Sequence, residues 1–217
     1  MKKKHILLLS IIGTVILALS IFLICFFSIP RISYGYDSET DSYVVDKVYG
    51  NASFYKIQDT IHDKPVTRIK SRVFVGKTGL KKVELGKNIV EIERLAFLDC
   101  NNLKEIDLSY VKIIGRNAFE NCSSLEEVYL GAEDILGGAF IGCTSLSKVV
   151  LEDVYSIGSY AFGNTSIEEI TIPRNCSLVG EDAFYGCSKL KEILVLSYFL
   201  RENTYLKSLN GVEFQLN

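Results

Sequence analysis

The chain has 217 residues, 48% hydrophobic and 23% charged, a balance that folds rather than stays disordered. Lys2, Lys3 and Lys4 are part of its 24 basic residues, so residues 31–217 hold 21 basic against 26 acidic side chains and a net charge of about −5. Such a surface lacks the basic stripe that a nucleic-acid partner requires. His5 and His62, its two histidines, are too few and too scattered for a histidine metal site or triad.

The lysines precede an uncharged apolar run from Ile6 to Ile29. As a helix this run spans roughly 36 Å, enough for a hydrocarbon core of about 30 Å. It is longer than the apolar stretch of a cleaved signal, and its end, CFFSIP, is bulky rather than small. Residues 1–30 are therefore expected to be cytoplasmic lysines and a transmembrane signal-anchor helix; a long cleaved signal is the alternative. Either way the lysines stay inside and the remainder lies outside. Pro30 ends the helix. The polar, tyrosine-rich residues 31–60 are expected to form a stalk and an N-terminal cap.

Residues 61–196 repeat. Phe74, Phe97, Phe119, Phe140, Phe162 and Phe184 recur at intervals of 21–23 residues, the last five each preceded by alanine. Five residues before them stand Ile69, Ile92, Ile114, Ile135, Ile157 and Val179. Six after come Leu80, Leu103, Leu125, Leu146 and Leu190, with Ile167 one residue early in the fifth coil. The segments LEEVYL, LSKVVL and IEEITI then alternate inward and outward, the period of a strand. One short strand per coil of about 22 residues implies parallel pairing between coils, about 4.8 Å apart. Gly115, Gly158 and Gly180, four residues before their phenylalanines, mark places where a side chain would obstruct. A lone coil cannot bury its own apolar face, so stability comes from stacking about six of them. Residues 197–217 lose the register and are expected to cap the last coil.

Cys100, Cys122, Cys143 and Cys187 share one column, three residues after the phenylalanine, while Lys77 and Thr165 fill it in the other coils. Their spacing offers no paired metal-ligand motif. Equivalent side chains in a stack point the same way, which is wrong for a disulfide. No histidine is placed to activate them. They are expected to be small buried hydrophobes, as is Cys176 in the column of Val154.

VKIIGRNAFENCSSLEEVYL and YSIGSYAFGNTSIEEITIP resemble the BspA-like, treponemal-type leucine-rich repeat. The resemblance covers about residues 57–196. It implies a curved right-handed solenoid with parallel β-strands, commonly on cell surfaces and acting in adhesion or protein binding.

Binding freedom lies at the outward strand positions. The column Glu84, Asp107, Tyr129, Val150, Thr171 and Leu194 turns from acidic to largely apolar along the chain. Tyr129, Val150, Thr171 and Leu194, flanked by Glu127 and Lys148, form a candidate partner-binding strip. The expectation is a non-enzymatic, membrane-anchored surface protein binding an extracellular protein or glycan, with no cofactor. A structural or assembly partner of another membrane protein in the same cell is the alternative. Glu105 and Asp107 could mimic a hydrolase pair, but they face solvent among many acids.

Overall fold

The computed structural model describes residues 30–200, 203–209 and 213–216. Among them the chain winds as a parallel-strand solenoid, and each coil contributes to two separate ladders. The first ladder is continuous. It runs β1 (Arg31–Asp37), β2 (Ser42–Tyr49), β5 (Lys64–Ile69), β7 (Glu91–Ile92), β9 (Ile113–Ile114), β11 (Asp134–Ile135), β13 (Ser156–Ile157) and β15 (Leu178–Val179), with β4 (Thr60–Ile61) paired to β5 at the side. Ile69, Ile92, Ile114, Ile135, Ile157 and Val179 lie in register along it. From β7 onward its strands are two residues long, too short to show an alternating period, so in the repeat periodicity points only to the other ladder.

That second ladder is the alternating one, and it is segmented. β3 (Phe54–Lys56), β6 (Lys82–Glu84) and β8 (Glu105–Ile106) form one sheet; β10 (Glu127–Leu130) and β12 (Lys148–Leu151) a second; β14 (Glu169–Ile172), β16 (Glu192–Val195) and β17 (Glu213–Leu216) a third. A single bridge, Leu108 to Leu130, links the first segment to the second. The gap between β12 and β14 coincides with the coil shortened by one residue ahead of Ile167.

Between the ladders stands a column of rings. Phe74, Phe97, Phe119, Phe140 and Phe162 are fully buried and Phe184 nearly so. Successive rings lie 4.7, 5.0, 5.1, 5.6 and 5.9 Å apart, within 9° of parallel, the offset stacking that suits aromatic quadrupoles. The backbone beside each ring is held too. The N–H of Phe97 donates to the Ala118 carbonyl at 2.7 Å, and that of Phe119 to Ala139 at 2.8 Å. Phe74, Phe140 and Phe162 repeat the bond to Ala96, Ala161 and Ala183.

The turn around each ring needs two left-handed residues. Two before the ring they are Arg72, Leu95, Asn117, Gly138, Tyr160 and Asp182; two after, Gly76, Asp99, Asn121, Gly142, Asn164 and Gly186. The second set is entirely Gly, Asn or Asp, the residues that tolerate that region. Gly115 serves differently. A Cβ there would lie 2.6 Å from the Glu93 carbonyl carbon, so what it relieves is the backbone of the preceding coil.

The ends are closed by hydrogen bonds and apolar side chains. β17 continues the segmented ladder past β16, but among the described residues no further Ala-Phe turn follows Phe184, and its N–H donates to the Tyr205 hydroxyl at 2.9 Å, where an alanine carbonyl would otherwise stand. Tyr205 sits on α1 (Thr204–Ser208), whose Leu206 is buried with Leu200. At the other end Tyr55 meets Phe74 edge-on at 5.7 Å. Lys77, in the cysteine column, instead donates its ammonium to the Gly50 carbonyl. Residues 31–60, expected as a stalk and cap, are strand for much of their length. β1 and β2 form an antiparallel hairpin, and β2 runs parallel to β5, so the ladder starts ahead of residue 61. The signal-anchor expectation falls on residues 1–29, outside the described residues. Among the described residues no helix is long and apolar enough to cross a membrane.

Replacing a ring in the middle of the stack should cost most. Phe119→Ala is expected to lower unfolding free energy by about 3–5 kcal/mol, whereas Tyr110→Ala, 63% exposed, should stay within about 0.5 kcal/mol. Urea unfolding measures both.

Candidate functional site

Strand alternation turns Val128, Val149, Ile170 and Ile193 into the core and leaves the residues between them on the surface. β10 and β12 pair Glu127 with Lys148 and Tyr129 with Val150. β14 and β16 pair Thr171 with Leu194. The six sequence-derived candidates thus share one face, but the gap between β12 and β14 runs through them.

Lys148 joins the first group. Its Nζ donates to the Tyr129 hydroxyl at 2.6 Å and lies 3.3 Å from Glu127 Oε2 and 5.0 Å from the Tyr129 ring centre. The Tyr129 hydroxyl, then the Glu127 carboxylate, raise the Lys148 pKa above its ordinary value, so the ammonium stays charged at any physiological pH. The cluster is solvent-exposed, and such pairs contribute little to stability. Its effect is to hold the Tyr129 ring and the Lys148 chain in a fixed arrangement on the surface.

Beyond that cluster lies a groove of about 900 Å³ over the β12–β14 gap. Lys148, Val150, Thr171 and Leu194 line it, together with Glu168, Glu169, Lys191 and Glu192. Val150 and Leu194 are half-buried and Thr171 is exposed. Lys191 Nζ lies 2.6 Å from Glu168 Oε2; that hydrogen bond lowers the Glu168 pKa and raises that of Lys191. Glu127 and Tyr129 line instead a neighbouring depression of about 440 Å³, with Glu84, Glu105 and Asp107. The carboxylates that mimic a hydrolase pair belong to this second depression, where Glu105 accepts from Lys82 Nζ at 2.5 Å. Sequence columns did not single out Glu168 and Lys191. They stand one residue ahead of the strand, where alternation carries no inward or outward signal, though the column Lys81, Lys104, Glu126, Ser147, Glu168 and Lys191 varies as freely as the one chosen.

The cysteines line neither the groove nor the depression beside it. Cys100, Cys122 and Cys143 are fully buried and Cys187 partly so; all are free thiols, as is Cys176. Each of the four column thiols donates to the carbonyl of the phenylalanine one coil back: Cys100 to Phe74 at 3.0 Å, Cys122 to Phe97 at 3.3 Å, Cys143 to Phe119 at 3.1 Å and Cys187 to Phe162 at 3.0 Å. Their column therefore needs a small weak donor, not merely a small apolar group. Thr165 departs from this pattern: its hydroxyl donates to the Phe162 carbonyl of its own coil at 2.9 Å, the carbonyl that also accepts the Cys187 thiol. Burial pushes the Cys100 thiol up to about 12 and raises Cys122 well above its usual range. Among the described residues no group of His, Cys, Asp and Glu is arranged to hold a metal.

The profile of the BspA type leucine rich repeat region matches residues 46–154 and 131–208, in six copies. Among solved structures, the chain is similar to a leucine rich cell surface protein of Faecalibacterium prausnitzii A2-165, with 25% identity and a TM-score of 0.59 over 78% of this chain and 55% of that one. It is also similar to the leucine-rich repeat protein of T. pallidum (22% identity, TM-score 0.56, covering 75% and 68%). The pneumococcal vaccine antigen PcpA follows at 22% identity and a TM-score of 0.62, covering 80% of this chain and 44% of that one. The chain thus spans little more than half of the Faecalibacterium protein and less than half of PcpA. No curated protein matches it.

The buried thiols set an alkaline limit. The neutral thiol is the form the core accepts, and Cys100 is raised from 9.0 to about 12. Its contribution to stability is therefore complete below pH 9.0 and falls as pH climbs toward about 12. Urea midpoints should drop across that window. At neutral pH, thiol-reactive labelling read by peptide mass spectrometry should leave Cys100 and Cys122 unmodified until urea unfolds the chain; prompt labelling of the native chain would contradict their burial.

Proposed function

This chain belongs to the BspA-type leucine-rich repeat family, and on that premise we propose that it is a non-enzymatic binding module held at the outer cell surface by its N-terminal apolar segment. Its partner docks on the face of the segmented ladder, over the groove between β12 and β14. The groove carries this reading. It combines an apolar floor from Val150 and Leu194 with charges of both signs from Lys148, Lys191, Glu168 and Glu169, the mixed anatomy of a protein–protein contact. A protein is thus favoured over a glycan as the occupant. The cell-surface description of the Faecalibacterium protein supports an outward location, and the uncharged run Ile6–Ile29 supports membrane attachment.

Catalysis has no support from this surface. Glu105, Glu127 and Glu168 on it are exposed and paired with lysines, an arrangement that stabilises their charged forms rather than poising one as an acid.

One observation favours the narrower reading of an assembly partner in the same membrane. The folded ladder begins at Arg31, leaving no long tether, and the groove stands about 20–25 Å from the end strand β3 at ordinary strand spacing. Neighbouring membrane proteins are within that reach.

A photo-crosslinking residue placed at Thr171 of the full chain, on intact cells, should give a discrete protein adduct. The same residue at Leu178, on the other ladder, should not. Val150→Asp should abolish the Thr171 adduct while leaving the urea midpoint unchanged. Equal adducts from both positions, or persistence in Val150→Asp, would remove the groove as the docking site. An adduct with a membrane protein of the same cell favours assembly; one with a foreign protein favours adhesion.

A further inference from the structure

We propose that the N-terminal corner of the solenoid is a lipid-binding surface, set against the headgroup layer of the membrane by Pro30, Arg31, Ile32, Tyr34, Phe54 and Lys56. The inference rests on membrane attachment through the apolar segment and goes beyond it, because an anchored domain could equally stand off on a flexible tether.

Distance is the first argument. The uncharged run ends at Ile29 and β1 begins at Arg31. Two residues reach at most about 7 Å, and the headgroup layer on each side of the hydrocarbon is about 5–8 Å thick. The first residue of the folded ladder therefore lies within, or at the edge of, that layer.

Topology is the second. β1 ends the continuous ladder and β3 ends the segmented one, so both stand at the same end of the solenoid. Pro30, Arg31, Ile32, Tyr34, Phe54 and Lys56 line a single depression of about 280 Å³ there. An open ladder edge invites pairing with other chains; a hydrated headgroup layer covers it and satisfies its polar groups.

Chemistry is the third. Phe54 is 45% exposed, an apolar ring with no packing role on its outer side. Arg31 stacks over the Tyr49 ring at 4.2 Å, and Lys56 pairs with Glu84 across the strand. Aromatic rings with long cationic side chains are the combination that settles at a membrane–water interface.

Charge also sets the tilt. The far end of the β1–β2 hairpin carries Asp37, Glu39 and Asp41, about 20 Å from Arg31 at strand rise. Asp37 and Asp41 pair with Arg68 and Lys64, and Glu39 adds a further negative charge at the turn. With Asp37 and Asp41 balanced by their cations, Glu39 supplies the net negative charge of that end, which an anionic surface repels while it attracts Arg31 at the root, so the corner rather than the whole end rests on the lipid.

The chain contains no tryptophan, which makes single-site reporters clean. The full chain carrying Phe54→Trp is reconstituted into vesicles of phosphatidylcholine and phosphatidylglycerol, with and without brominated acyl chains. Flotation is read first. With the chain floating, the indole emission of the Phe54→Trp chain should shift to the blue and lose most of its intensity in brominated vesicles. A Phe199→Trp chain, reporting from the opposite end of the solenoid, should emit as if in water and be unaffected. Lys56→Trp, at a solvent-facing position of the same corner, repeats the reading if Phe54→Trp does not fold. A floating chain with water-like, unquenched emission from both corner positions overturns the proposal and leaves the anchor intact. A chain that does not float overturns the anchor, and the lipid contact with it.

Discussion

Every coil is fastened to the next through the atoms around one phenylalanine. Its ring stacks on the ring below, its N–H reaches the alanine carbonyl of the following coil, and for Phe74, Phe97, Phe119 and Phe162 its carbonyl accepts a thiol from that same coil. These contacts are all between neighbours, so the solenoid's stability is a sum of coil interfaces rather than the property of one central core. The arrangement also dictates its two ends. Where no further Ala-Phe turn stacks, an amide or a ring needs another partner, and the chain answers with Tyr205 at one end and Tyr55 and Lys77 at the other.

The spacing constraint explains which columns vary. The alanine is fully buried with its carbonyl accepting the N–H of the phenylalanine one coil back, and the cysteine position takes threonine because Thr165 and Cys187 both find an acceptor in the Phe162 carbonyl, one from its own coil and one from the next. Outward strand positions meet no such demand, and there the residues range from Glu84 to Leu194. Any ligand preference must be written in those positions. The groove arises where a coil one residue shorter interrupts the segmented ladder, so a small irregularity in the repeat gives the face a feature that a uniform ladder would lack.

Most of the core was legible in the sequence because side chains at a fixed interval of the chain are forced into one column. The phenylalanines and the Ile69–Val179 column needed no structure to find them. Other features left weaker traces. Gly76, Asp99, Asn121, Gly142, Asn164 and Gly186 were a readable signature of left-handed backbone, but only once the turn around the ring was suspected. The two-residue strands have no period to detect. The hairpin at 31–49 hides because its tyrosines and acids pair with the first coils, as in the hydrogen bond from Lys64 to Tyr36 at 3.2 Å, rather than with a repeat of their own. Of the face itself, alternation identified Val150, Thr171 and Leu194 as outward residues. It could not show that a divide separates Tyr129 and Val150 from Thr171 and Leu194, nor that Glu168 and Lys191 complete the groove, since both depend on how adjacent coils are offset.

The stacked rings are the premise on which the fold, the caps and the surface all stand. The most direct measurement is nuclear Overhauser contact between ring protons in a chain with selectively labelled phenylalanines. Cross-peaks should link Phe97 to Phe119 and Phe119 to Phe140, whose ring centres lie 5.0 and 5.1 Å apart, and none should link Phe97 directly to Phe162. Rings without mutual contacts, or open to a soluble paramagnetic probe, would contradict the winding of the chain and everything built upon it.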